Sequence, residues 1–171
     1  MRTTLQRLGL LVMLLAGLLG VAAPAQAASP RIGGTAYFQG PEGGPCDPVP
    51  EGYEEFTSYP PLVMSGSLEG CWYTFVEDSV FRPSGVYQET GQEYFVGSLD
   101  GGPVGTFTTT YRFEAKYAAD RVTELFGRCQ HPLVAGSGTG GFAGATGRLD
   151  FKDIIEDSGV TYVYRGHIRF R

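Results

Sequence analysis

Hydrophobic positions along most of this chain recur every second residue. The stretch "GTFTTTYRFEAKY" (residues 105–117) puts Phe107, Thr109, Tyr111, Phe113, Ala115 and Tyr117 on one face, with Thr108, Thr110, Arg112, Glu114 and Lys116 on the other. Successive side chains of an extended backbone point to opposite sides, so this is the pattern of a half-buried β-strand. "TYVYRGHIRF" (161–170) repeats it, with Tyr162, Tyr164, Gly166, Ile168 and Phe170 facing one way and Arg165, His167 and Arg169 the other. Segments 64–76, 86–97, 122–135 and 147–155 are further strand candidates, rich in β-branched and aromatic residues and separated by Gly, Pro or Asp. No ten-residue window shows a convincing helical period. Consecutive short strands with tight connections predict an all-β antiparallel sandwich or barrel, and closure is favoured because it removes exposed edges.

The N-terminus has a different character. Arg2 and Arg7 precede the apolar run "LGLLVMLLAGLLGVAA", which ends at Ala25-Gln26-Ala27, the arrangement of a cleaved secretory signal. Its strongly apolar core is short of the ~20 residues that a membrane span requires. Processing at this point leaves residues 28–171, the size of one domain. Within it, residues 28–61 are dense in Gly and Pro and read as an irregular leader with one short strand near Thr35 to Gln39, and 62–171 as the β-barrel domain. The signal holds two of the thirteen basic residues and none of the eighteen acidic ones, so eleven against eighteen leaves a formal charge of −7. An anionic surface repels nucleic acid and acidic membranes, and neither is expected as a partner after processing. The chain has only two lysines and no asparagine, a composition that fits a GC-rich bacterial genome.

The segment "GSGTGGFAGATG" (136–147) holds six glycines, and its start satisfies G-x-G-x-x-G at Gly136, Gly138 and Gly141. A phosphate-binding reading requires a strand before the loop, a helix after it and a surrounding βαβ unit. "FAGATG" allows at most one helical turn before the strand-like "RLDFKDII" begins. The glycines are therefore expected to let the chain reverse between two strands, with Gly138, Gly140, Gly144 and Gly147 shaping the turn and Phe142 dropping into an end of the core.

The same residues carry a resemblance. "GTGGFAGATG" resembles the motif G-T-G-x-F-x-G-A-x-G of the allene oxide cyclase and dirigent barrels. The stretches "SGSLEGCWYT", "YQETGQEYFVG", "GTFTTTYRFEAKY" and "GRCQHPLVAGSGTG" are similar to secreted bacterial proteins of that superfamily. The likeness spans about residues 62–170. It implies a single eight-stranded antiparallel β-barrel of the lipocalin-like kind. It also brings an activity class, since plant cyclases convert an unstable epoxide to a cyclopentenone and dirigents steer radical coupling. No motif carries their functional residues onto positions here.

Three cysteines, Cys46, Cys71 and Cys129, lie in the exported part, where disulfides form. Cys71 and Cys129 sit in predicted strands and Cys46 in the leader, so a Cys71–Cys129 bond is expected. A metal set of Cys71, Cys129, His131 and His167 matches no zinc ligand spacing, and no metal or other cofactor is expected. His131 and His167 are expected at the surface.

There is no G-x-S-x-G elbow for a hydrolase. Glu89 and Glu93 share a face but lie about 13 Å apart at strand rise, beyond the roughly 5 to 9.5 Å of glycosidase pairs; a cross-strand pair with Glu69 stays open, and the carboxylates are otherwise expected on the outer face. One arrangement points to a pocket. If the aromatic face of 105–117 is inward, Tyr111 lines the interior, Glu93 shares a face with Tyr87 and Phe95, and Tyr73 shares the face of Cys71. Tyr73, Glu93 and Tyr111 are the candidate ligand-binding residues. Two functions follow: a secreted, non-catalytic barrel binding a small apolar ligand or a protein, and a cofactor-free isomerase or cyclase acting on a reactive apolar substrate. The sequence assigns no catalytic residue and no oligomeric state.

Overall fold

In a computed structural model, residues 31–157 and 159–171 are described. The expected signal at 1–27 lies outside the described residues. Nine strands follow in order: β1 (Arg31–Phe38), β2 (Leu62–Gly66), β3 (Leu68–Phe81), β4 (Val86–Leu99), β5 (Gly105–Tyr117), β6 (Glu124–Pro132), β7 (Thr139–Gly140), β8 (Ala145–Glu156) and β9 (Gly159–Phe170). All pair antiparallel, and each strand of the ring β1-β2-β3-β4-β5-β6-β8-β9 is bonded to the next, with β9 returning to β1. The result is a closed eight-stranded antiparallel β-barrel, with β7 outside it on the start of β5. No helix occurs among the described residues.

Closure needs two strands that the alternation does not separate cleanly. The segment read as one strand at 64–76 is two, β2 and β3, because the chain reverses at Gly66, whose φ of +106° is open to glycine and strained for other residues. The segment read as a leader supplies β1, which pairs with both β2 and β9, so the barrel begins at residue 31.

One end of the barrel is solid. Trp72, Phe95 and Phe107 pack there with Leu68, Leu149 and Ile168. The glycine loop plugs this end with Phe142, which is 0 % exposed and sits edge-on to Phe95 and Phe107 at 5.6 and 4.9 Å between ring centroids. Gly140, Gly144 and Gly147 take φ of +52°, +73° and +150°. At Gly138 a Cβ would lie 1.9 Å from the Phe142 carbonyl oxygen. The loop joins β6 to β8 with no helix after it, so the geometry of a dinucleotide site is missing.

The outer wall of β3 and β4 is covered by residues 39–61, and this covering corrects two expectations. The disulfide joins Cys46 to Cys71, and Cys129 is free. Cys71 points outward from β3 under the covering segment, whereas Cys129 lines the interior from β6, so the barrel wall stands between the expected partners. Tyr73 shares that outward face, so it is not in the interior. It packs with Cys46, Phe56 and Tyr94 and donates to the Cys46 carbonyl at 2.8 Å. Tyr53 stacks on Tyr94 at 3.5 Å between centroids. Both faces of this wall are apolar, which is why alternation alone misplaces them.

Candidate functional site

The half of the barrel away from Phe142 is hollow. Its cavity of about 190 Å³ opens to solvent where β3, β5 and β8 end, and is lined by Phe, Tyr and acidic side chains. Apolar protein cavities of about 150 Å³ hold a molecule the size of benzene.

Alternation on β4 turns Tyr87, Glu89, Gly91, Glu93 and Phe95 inward, and the register sets Glu93 opposite both Thr74 and Thr109. Glu93 is 5 % exposed. Its Oε2 accepts from Thr109 Oγ1 at 3.2 Å and pairs with His131 Nδ1, while Oε1 accepts from Thr74 Oγ1 at 3.4 Å. His131, expected at the surface, is 3 % exposed, because period two on β6 puts it on the face of Gly127 and Cys129. Its ring lies against Trp72, Tyr111 and Phe151. Nε2 is buried and has no hydrogen-bond partner among the described residues. A polar atom in that position carries an unmet desolvation cost unless a ligand or water reaches it. His167 is half-buried on β9.

Glu89 was expected on the outer face and is 4 % exposed inside. Three phenols converge on it: Tyr111 donates to Oε1 at 2.7 Å, and Tyr59 and Tyr87 donate to Oε2 at 2.6 and 2.5 Å. Burial first, and then the hydrogen bond to Glu89, push the pKa values of Tyr111, Tyr59 and Tyr87 upward, so all three stay protonated donors. Tyr59 comes from the covering segment, which therefore completes the site as well as the wall. Nothing in the local sequence marks it. Glu89 was legible, since the alternation that turns Glu93 inward turns Glu89 inward too.

A second acidic pair stands nearer the opening. Asp153 of β8 lies opposite Tyr162, and its carboxyl fills the space left by the missing side chain of Gly127, where a Cβ would sit 2.1 Å from Asp153 Oδ2 and 2.5 Å from Glu124 Oε1. Burial, then the hydrogen bond to Glu124, pushes the Asp153 pKa up to about 8. Glu124 Oε1 is buried without a hydrogen-bond partner among the described residues, and a proton held on Asp153 beside it lowers the cost of that burial. The free Cys129 thiol sits among these acids. Burial raises its pKa well above the usual thiol value, and Glu93, Asp153 and Glu89 raise it further, which makes it a poor nucleophile.

Of the three expected ligand-binding residues, the structure brings Glu93 and Tyr111 into one cavity and leaves Tyr73 outside it. Comparison of the chain with protein-family models, curated proteins and solved structures finds no match.

Proposed function

We propose that this chain is an exported ligand-binding barrel whose open half takes one small, largely apolar molecule. The observation that carries this reading is the division of the interior: Phe142 and its neighbours fill one end, while the other keeps an open cavity walled by aromatic rings. A barrel of this size can be filled by its own side chains, so a hollow half with convergent polar groups is a feature of binding sites. The Cys46–Cys71 disulfide suits an oxidising compartment and supports export. The allene oxide cyclase and dirigent resemblance belongs to the same reading.

The test is ligand-observed NMR of the processed protein with indole and toluene. Saturable binding is expected, and Cys129→Trp, which fills the cavity, should abolish it. A wild-type protein that binds neither compound would sink the proposal.

One observation favours the cofactor-free isomerase as a second reading. Glu93 and His131 form a buried acid–base pair on the cavity wall, with Nε2 unpartnered, and could move a proton on a bound substrate. Turnover that Glu93→Gln abolishes without loss of binding would establish it.

A further inference from the structure

We infer that the cavity selects an organic cation, an aromatic or aliphatic amine whose ammonium group approaches Glu89 and the Asp153–Glu124 pair while its apolar body lies against the tyrosines. This rests on the reading of the barrel as a ligand-binding protein and names the ligand class.

Of the sixteen lining residues, eight are Phe or Tyr, four are Glu or Asp, and none is Lys or Arg. The acids differ in how their charge is met. Glu93 has His131 beside it, whereas Glu89 has only the dipoles of three phenols. Asp153 holds its proton, with the Glu124 carboxylate beside it. All four acids line the one cavity, around the Cys129 thiol.

Ligand chemistry follows from this balance. A neutral apolar guest would expel water from Glu89 and the Asp153–Glu124 pair and return no charge to them. An anion would add repulsion. An ammonium supplies the missing positive charge, and tyrosine faces attract it as well. Among the described residues no three His, Cys, Asp or Glu side chains are grouped to hold a metal ion, so a charge carried on a larger organic body fits the spacing. The unpartnered His131 Nε2, deeper than Glu89 along the barrel, leaves one polar position for the far end of such a guest.

Three probes of nearly equal shape test the assignment by calorimetry at pH 7: phenethylamine, protonated at that pH, 2-phenylethanol, neutral, and phenylacetate, anionic. The amine should bind at least tenfold more tightly than the alcohol, and phenylacetate should bind more weakly than both. Glu89→Gln should reduce the ratio of amine to alcohol affinity from at least tenfold to a few-fold. Glu124→Gln, which removes the carboxylate beside the protonated Asp153, gives a second variant and should also lower the ratio of amine to alcohol affinity, whereas Asp153→Asn, a close match to the protonated carboxyl already present, should leave that ratio in place. Equal or tighter binding of the alcohol by wild type would overturn the cation assignment and leave the binding barrel intact. No binding of any probe would overturn both. A tenfold preference that survives in both Glu89→Gln and Glu124→Gln would overturn the placement of the charge at these acids.

Discussion

Glu93 and His131, 38 residues apart in sequence, meet through Oε2 and Nδ1 inside the barrel. They come from β4 and β6, and Thr109 of the intervening β5 donates to the same carboxylate oxygen. Three adjacent strands are thus tied together by one buried group. Removing one partner of such a pair strands the other in a site with little water. His131→Ala should cost about 3 kcal/mol or more in urea unfolding, and a double-mutant cycle with Glu93→Gln should give a coupling of about 0.5 to 3 kcal/mol. Additive single effects would mean that the pair is not a functional unit of the fold.

The disulfide staples the covering segment to the outer wall, and it can be checked directly. Peptide mapping without reduction should join Cys46 to Cys71 and leave Cys129 as a thiol. With the partners 25 positions apart in sequence, Cys46→Ser should lower stability by about 3.5 kcal/mol in the chain-entropy account. The same change frees Tyr59 from its place over the opening, so it should also weaken any ligand that Glu89 and its phenols hold. A loss of stability with unaltered binding would separate the two roles.

The Asp153–Glu124 pair predicts a pH dependence of definite sign. Asp153 keeps its proton in the folded barrel up to about pH 8, whereas the unfolded chain releases it near 3.8. Between those values the folded state binds more protons, so the stability contributed by this group is complete below pH 4 and declines as pH rises to 8. Thermal melts across that window should show wild type losing stability relative to Asp153→Asn, with the difference levelling off above pH 8. A difference independent of pH would place the proton elsewhere.

The glycine loop makes a conformational prediction rather than a chemical one. Gly144 has φ of +73°, where a β-branched residue is badly placed, and Gly144→Val should destabilise by more than about 1 kcal/mol. Gly138→Ala drives a methyl group toward the Phe142 carbonyl and should loosen the plug beneath Phe107. Wild type should bind neither ATP nor NAD. Unchanged melting of both variants, or nucleotide binding by the wild type, would overturn this role.

Sequence alone determined a good deal here, because alternation is a local property of extended backbone and needs no knowledge of neighbours. It marked out β5 and β9 and separated their two faces, turned Tyr111 inward with Glu93 as a candidate beside it, and identified the glycine segment as a chain reversal. The failures share one cause. Period two separates the faces of a strand and does not say which is inside, so where both are apolar, as on β3, the choice waits on what covers them. Residues 39–61 cover the outer face, and that decided the positions of Tyr73 and Cys71 and hence the disulfide. Glu89, which alternation sets on the face of Glu93, and His131 were assigned outward because polar groups default to water; contacts with Tyr59, Tyr111 and Glu93, brought in from distant strands and from the covering segment, make their burial tolerable.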